Sequence, residues 1–107
     1  MPFKREKVSD VRGALDVLEQ YAEREDQDFL NDEESIRAAR YTFIVLVEAM
    51  TSIAGHICAR GLNDSPASYA DAFLNLARGG VLDEELAVRL GKMAGFRNLL
   101  VHGYAVV

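Results

Sequence analysis

The sequence predicts an all-α fold, a small antiparallel helical bundle of about four helices. Three observations carry that prediction. Apolar residues recur at spacings of three and four along most of the chain, helix-capping residues precede those stripes, and no stretch alternates apolar with polar residues as a strand would.

In the first helix, spanning about residues 4 to 27, the stripe is Val8, Val11, Leu15, Leu18 and Ala22, and Gly13 weakens it modestly. The acidic run over residues 23–34 reads as solvated surface around a helix break. Asn31 is placed to cap the second helix, with Glu34 at the capping-box position and Asp32 and Glu33 favourable to the helix dipole. Ile36, Ala39, Phe43, Val47, Met50, Ala54 and Ile57 form its stripe and Gly61 its end, a length of ~45 Å at ~1.5 Å per residue. Residues 41–59 are apolar enough to raise a membrane-spanning reading. Thr42, Glu48, Thr51, Ser52 and His56 interrupt the segment and no second span follows, so a buried core helix and no membrane partner are expected.

Ser65 and Pro66 turn the chain. Ser68 caps a short third helix with Asp71 three places on, and Gly79 and Gly80 stop it. Asp83 caps the last helix, Glu84 and Glu85 follow in its first turn, and Leu86, Leu90, Met93, Leu100 and Val101 line its inner face.

A chain of 107 residues, half of them hydrophobic, is read as one domain over residues 1–107. Its core is small, so dimerisation would add burial. The start of the chain is basic but has no apolar h-region, so no secretory signal is expected. Cys58 is the only cysteine, which excludes an internal disulfide and suits a reducing, cytoplasmic setting. The net charge of −5 argues against a long basic track along a polyanion, so any contact with one should be local. Nine of the 12 basic residues are Arg, which favours planar phosphate contacts over a diffuse Lys surface.

His56 and Cys58 are two apart on a helix, hence about 200° apart, and cannot chelate one ion together. Phosphate-loop, nucleophile-elbow and dinucleotide motifs are absent from the sequence. Neither a metal nor another cofactor is expected.

Residues 97–104 read Arg-Asn-Leu-Leu-Val-His-Gly-Tyr. Arg97, His102 and Tyr104 bring a fixed cation, a side chain that titrates near neutrality and a phenol within about two helical turns. Those are the groups a metal-free phosphodiester cleavage needs, a bidentate phosphate clamp and a proton-transfer group. Arg97 falls in the middle of an apolar stripe, so it is either paired, with Glu48 the only acid between Glu34 and Asp64, or turned to a polar groove. His102 lies about 140° further round a straight helix. Gly103 reads as the residue that ends the helix, which would let His102 swing toward Arg97; the other reading is a His that caps free carbonyls. Tyr104 by itself reads as an aromatic covering the helix end.

The pattern Arg-x4-His-x-Tyr on the last helix of a small all-α chain resembles the HEPN superfamily, in particular the HepT-like ribonuclease toxins. The resemblance includes the acid- and Arg-rich start of the long helix (residues 32–40), Glu48 within it, and the segments 66–73 and 93–98, and so covers essentially the whole chain. It implies a HEPN-like bundle and a metal-independent endoribonuclease, the toxin of a type VII-like toxin–antitoxin pair. Arg97 and His102 would be catalytic, and Asn98 and Glu48 would bind substrate or orient the Arg. The active site would lie at the interface of a homodimer, with RNA as substrate. Tyr104 resembles the tyrosine that cognate minimal nucleotidyltransferase antitoxins modify with AMP. Chains of this type generally continue past the His-x-Tyr with a further helix, whereas this sequence stops at Val107. The alternative is a non-catalytic HEPN-like dimerisation or nucleotide-binding module in which Arg97 and His102 are structural or hold a phosphate.

Overall fold

The computed structural model describes the backbone of residues 2–102 and the side chains of residues 5–102. It contains α1 (Pro2–Ala22), α2 (Asp26–Leu30), α3 (Glu33–Gly61), α4 (Tyr69–Arg78) and α5 (Glu84–His102), and no strand among the described residues. The all-α class is as predicted. The chain forms two compact units, Met1–Ala49 and Met50–Val107, with α3 contributing to both.

In the first unit α1 opens on Pro2, whose fixed φ and missing N–H suit a first helical position. It stops at Ala22, earlier than the periodicity suggests. Its inward face is Val11, Ala14, Leu18 and Tyr21, with Ala14 buried, whereas Val8, Leu15 and Ala22 of the predicted stripe are exposed. The acidic run is mostly exposed and breaks the chain between α1 and α3, as expected, and it also contains the short helix α2. Arg24 gathers this segment: its guanidinium donates to Ser35 Oγ at 2.7 Å, to Asp32 Oδ2 at 3.4 Å and to the Asp28 carbonyl at 3.2 Å. It also lies 5.9 Å from the centre of the Phe29 ring, which packs tilted against Tyr21 at 5.6 Å.

The cap of α3 sits one residue later than the sequence suggests. Asp32, not Asn31, accepts from the Ser35 backbone N–H at 3.2 Å and from Ser35 Oγ at 2.7 Å, while Asn31 closes α2. The two Ser35 hydrogen bonds, with Arg24 beside them, hold the Asp32 carboxyl below its ordinary value.

α3 is long and apolar enough to cross a membrane by length and composition. Leu46, Val47, Ala49, Thr51, Ala54 and Cys58 along it are buried, as a core helix requires. The helix ends at Gly61 as expected, but the left-handed residue that turns the chain is Asn63, at φ 51°.

In the second unit, the last turns of α3 and all of α4 and α5 pack together. The Cys58 thiol, fully buried, donates to the Ala72 carbonyl of α4 at 3.6 Å. Burial, with the Asp64 carboxylate second, pushes that thiol up, so Cys58 is a packing residue and a poor nucleophile. Ser68 caps α4 as predicted, its Oγ accepting from Asp71 N at 3.1 Å, and Ala72, Phe73 and Leu76 are buried. The exit is a Schellman turn in which Val81 N donates to the Leu76 carbonyl at 2.8 Å and Gly80 N to that of Ala77 at 3.0 Å, with Gly80 at φ 78°. Gly79 leaves room for Leu62: a Cβ there would stand 2.6 Å from Leu62 Cδ2 and the leucine side chain would have to move.

α4 and α5 form an antiparallel pair, the start of α4 meeting the middle of α5. Their seam is built from small residues. Ala87 and Ala94 are fully buried, and a Cβ on Gly91 would lie 3.5 Å from that of Ala70. Leu86, expected inside, is 44% exposed, because the seam turns Ala87 rather than its neighbour toward α4.

Candidate active site

Arg97 occupies the inner side of α5, one turn beyond the buried Ala94. Its stem continues the seam and its Nε is shielded from solvent. The head emerges between two neighbours. Nη1 donates to Asn98 Oδ1 at 3.1 Å, and Cζ lies 5.5 Å from the centre of the Tyr69 ring at the start of α4. At that distance the electron-rich ring attracts the guanidinium charge. Arg97 and Asn98 are therefore brought together. Tyr69 joins them without having been singled out. Its signal in the sequence is an aromatic directly after the Ser68 cap, whose partner could be known only once α4 was laid on α5.

His102 is the last described residue of α5, and as far as that residue the helical rotation of about 140° from Arg97 stands. The imidazole is exposed on a different face from the guanidinium of its own chain. That face has a pattern of its own. Val88, Lys92, Gly95, Leu99 and His102 follow one another at spacings of four and three, and Phe96 flanks them. Val88 is 44%, Phe96 52% and Leu99 63% exposed. Gly95 has nothing within 4 Å of where a Cβ would stand, so its own chain does not require a glycine there. A glycine inside a helix costs roughly 0.5–1 kcal/mol relative to Ala, which makes close approach by another molecule a physical reason for it.

Glu48 sits exposed in α3, in the first unit. Gly103 and Tyr104 lie outside the described residues. Among the described residues no group of three or more His, Cys, Asp and Glu is placed to hold a metal ion.

With the Arg-Asn pair and the exposed His on one helix in view, comparison with known families gives one result. The family model for Ribonuclease HepT-like matches residues 11–107. The chain belongs to the HepT-like ribonuclease family. It is thereby a member of the HEPN superfamily, and the match runs from α1 through the whole of α5. Searches among curated proteins and among solved structures return no match. In this HepT-like chain α5 thus carries a half-buried Arg97 and an exposed His102 on different faces.

Proposed function

We propose that this HepT-like chain is a metal-independent endoribonuclease whose active site is composed from two copies, and that it serves as the toxin of a toxin–antitoxin pair. One observation carries the reading. Arg97 and His102 stand on different faces of one continuous helix, and His102 shares its face with the exposed Val88, Phe96 and Leu99. One copy offers the clamp and the proton carrier in divergent directions. A second copy, packed through the apolar face of α5, supplies the complementary half. Burial of that face also offsets what a core of this size lacks.

In the proposed reaction the ribose 2′-OH attacks the adjacent phosphorus. One His102 imidazole takes the 2′ proton as the O–P bond forms, and Arg97 neutralises charge on the two non-bridging oxygens. The P–O5′ bond breaks, and the leaving oxygen takes a proton from the partner's His102. The products are a 2′,3′-cyclic phosphate and a 5′-hydroxyl, and no water or metal enters. Asn98, bonded to Arg97, orients the clamp. With a net charge of −5 the chain grips RNA through these few groups rather than a basic track. A lone, buried Cys58 suits a cytoplasmic toxin.

The test is dilution of the wild type with an inactive chain. Wild-type and His102→Ala chains in equal amounts are unfolded together, refolded as a mixture, and assayed on a labelled RNA with EDTA present. A site that needs both imidazoles keeps about a quarter of the cleavage of an all-wild-type sample, because only about a quarter of random dimers carry two intact chains, whereas chains that act alone keep about half. Half the wild-type cleavage, with mixed dimers verified by native mass spectrometry, would overturn the composite site. A wild-type chain that binds RNA without cleaving it would favour the non-catalytic module.

A further inference from the structure

We infer that Tyr69 is a positioning residue for Arg97: its ring holds the guanidinium by a cation–π contact at the place where the head meets a phosphate. The inference rests on the nuclease reading and extends it to a residue outside the Arg-Asn-x3-His-x-Tyr motif.

The geometry is built from short, stiff parts. Tyr69 is the first residue of α4. The residue before it, Ser68, is fixed in extended conformation and accepts from Asp71 N at 3.1 Å, which locks the first helical turn. The residue after it, Ala70, lies against Gly91 of α5, in ordinary contact distance of where a Cβ would be. The backbone before Tyr69 is thereby fixed within α4, and the backbone after it is referenced to the helix that bears Arg97. A Tyr side chain has only two rotatable angles, so little freedom remains to the ring.

The contact itself fits the role. At 5.5 Å from the ring centre, the guanidinium carbon is within the range where the electron-rich face attracts a cation. The Nη1 group also donates to Asn98 Oδ1 at 3.1 Å. Two neighbours on different helices thus hold the head, Tyr69 through its ring and Asn98 through a hydrogen bond. Tyr69 is 38% exposed, so the contact is at the surface, where a phosphodiester can reach it. A flexible Arg would have to lose that freedom on binding, and a held one has lost it already.

Three variants and two measurements test this. Tyr69→Leu keeps bulk and removes the ring face, and cleavage should fall by about two- to thirtyfold, the range of a cation–π contact. Tyr69→Phe keeps the face and loses only the hydroxyl, and should stay within about twofold of wild type. In nuclear magnetic resonance, the Arg97 Nε–H signal, assigned with Arg97→Lys, should move to the random-coil position in Tyr69→Leu and stay in Tyr69→Phe. A Leu variant with wild-type cleavage and an unmoved Arg97 signal would overturn the inference, as would a Phe variant as impaired as Leu. Failure of the nuclease reading is separate: a wild-type chain that does not cut RNA overturns that reading, while the Arg97 signal still decides whether Tyr69 holds the guanidinium.

Discussion

Arg97 and His102 lie five residues apart on the same uninterrupted helix and therefore face about 140° away from one another. The first stands half-buried against Tyr69 and Asn98, and the second is exposed beside Leu99. A motif that looks compact in sequence is divided in space, and its chemistry is proposed to be completed from outside the single chain.

His102→Ala should reduce RNA cleavage by at least about a hundredfold, the scale of a lost general acid–base group, with helix content unchanged. The side chain is exposed at the last helical position, so removing it exposes no core. Arg97→Lys should also lose most activity, because an ammonium cannot make the planar bidentate contact. Circular dichroism and a cleavage assay on the same preparations check both. Wild-type rates in both variants would refute the catalytic assignment.

Leu99→Glu should convert the protein from dimer to monomer in sedimentation velocity at micromolar concentration, and cleavage should vanish with the dimer. Leu99 is 63% exposed in the single chain, so a carboxylate there is harmless to the fold and costly only to an interface. Gly95→Ala should raise the stability of α5 by roughly 0.5–1 kcal/mol, since nothing crowds that position in its own chain. If the α5 face is a close helix contact, the same change should weaken association. A monomeric wild type would count against the composite site.

Acid should loosen the α2–α3 turn through Asp32. Its carboxyl is held below the usual 3.8, first by Ser35 Oγ and then by the Ser35 N–H and Arg24. A depressed folded value means that the stabilisation is fully present above the unfolded value and disappears as pH falls through the folded one. Asp32→Asn should therefore be less stable than wild type at about pH 6 and nearly equal to it at about pH 2, as read by thermal melting. A constant difference across that range would mean that the charge of Asp32 is not what caps α3.

Tyr104 should accept AMP from a minimal nucleotidyltransferase antitoxin. The phenol oxygen would attack the α-phosphorus of ATP, releasing pyrophosphate and its own proton. A phosphate charge two residues from His102 would compete with RNA for the Arg97 clamp and silence cleavage without unfolding the chain. Peptide mass spectrometry after incubation with the cognate enzyme and ATP locates the added mass. Modification elsewhere, or a Tyr104-modified protein that still cuts RNA, would refute the control mechanism. Tyr104→Phe should cleave normally and escape inhibition.

The amino-acid sequence by itself determined the helical class, the Ser68 cap, the stop at Gly79 and Gly80, and the placing of Arg97 on an inner face. Each of these depends on interactions within a turn or two of chain, so the pattern that encodes it is local. Tertiary structure decided the rest. It chose Val11, Ala14, Leu18 and Tyr21 over the Val8 and Leu15 edge of α1, and Ala87 over Leu86 on α5. Several apolar faces compete on each helix, and the neighbour that can approach a small residue closely settles which is buried. It also revealed α2, whose five residues are too short to be a stable helix alone and stand beside the Arg24 contacts to Asp28, Asp32 and Ser35. Above all it supplied the Tyr69 ring to Arg97, because two residues 28 positions apart meet only when α4 folds back along α5.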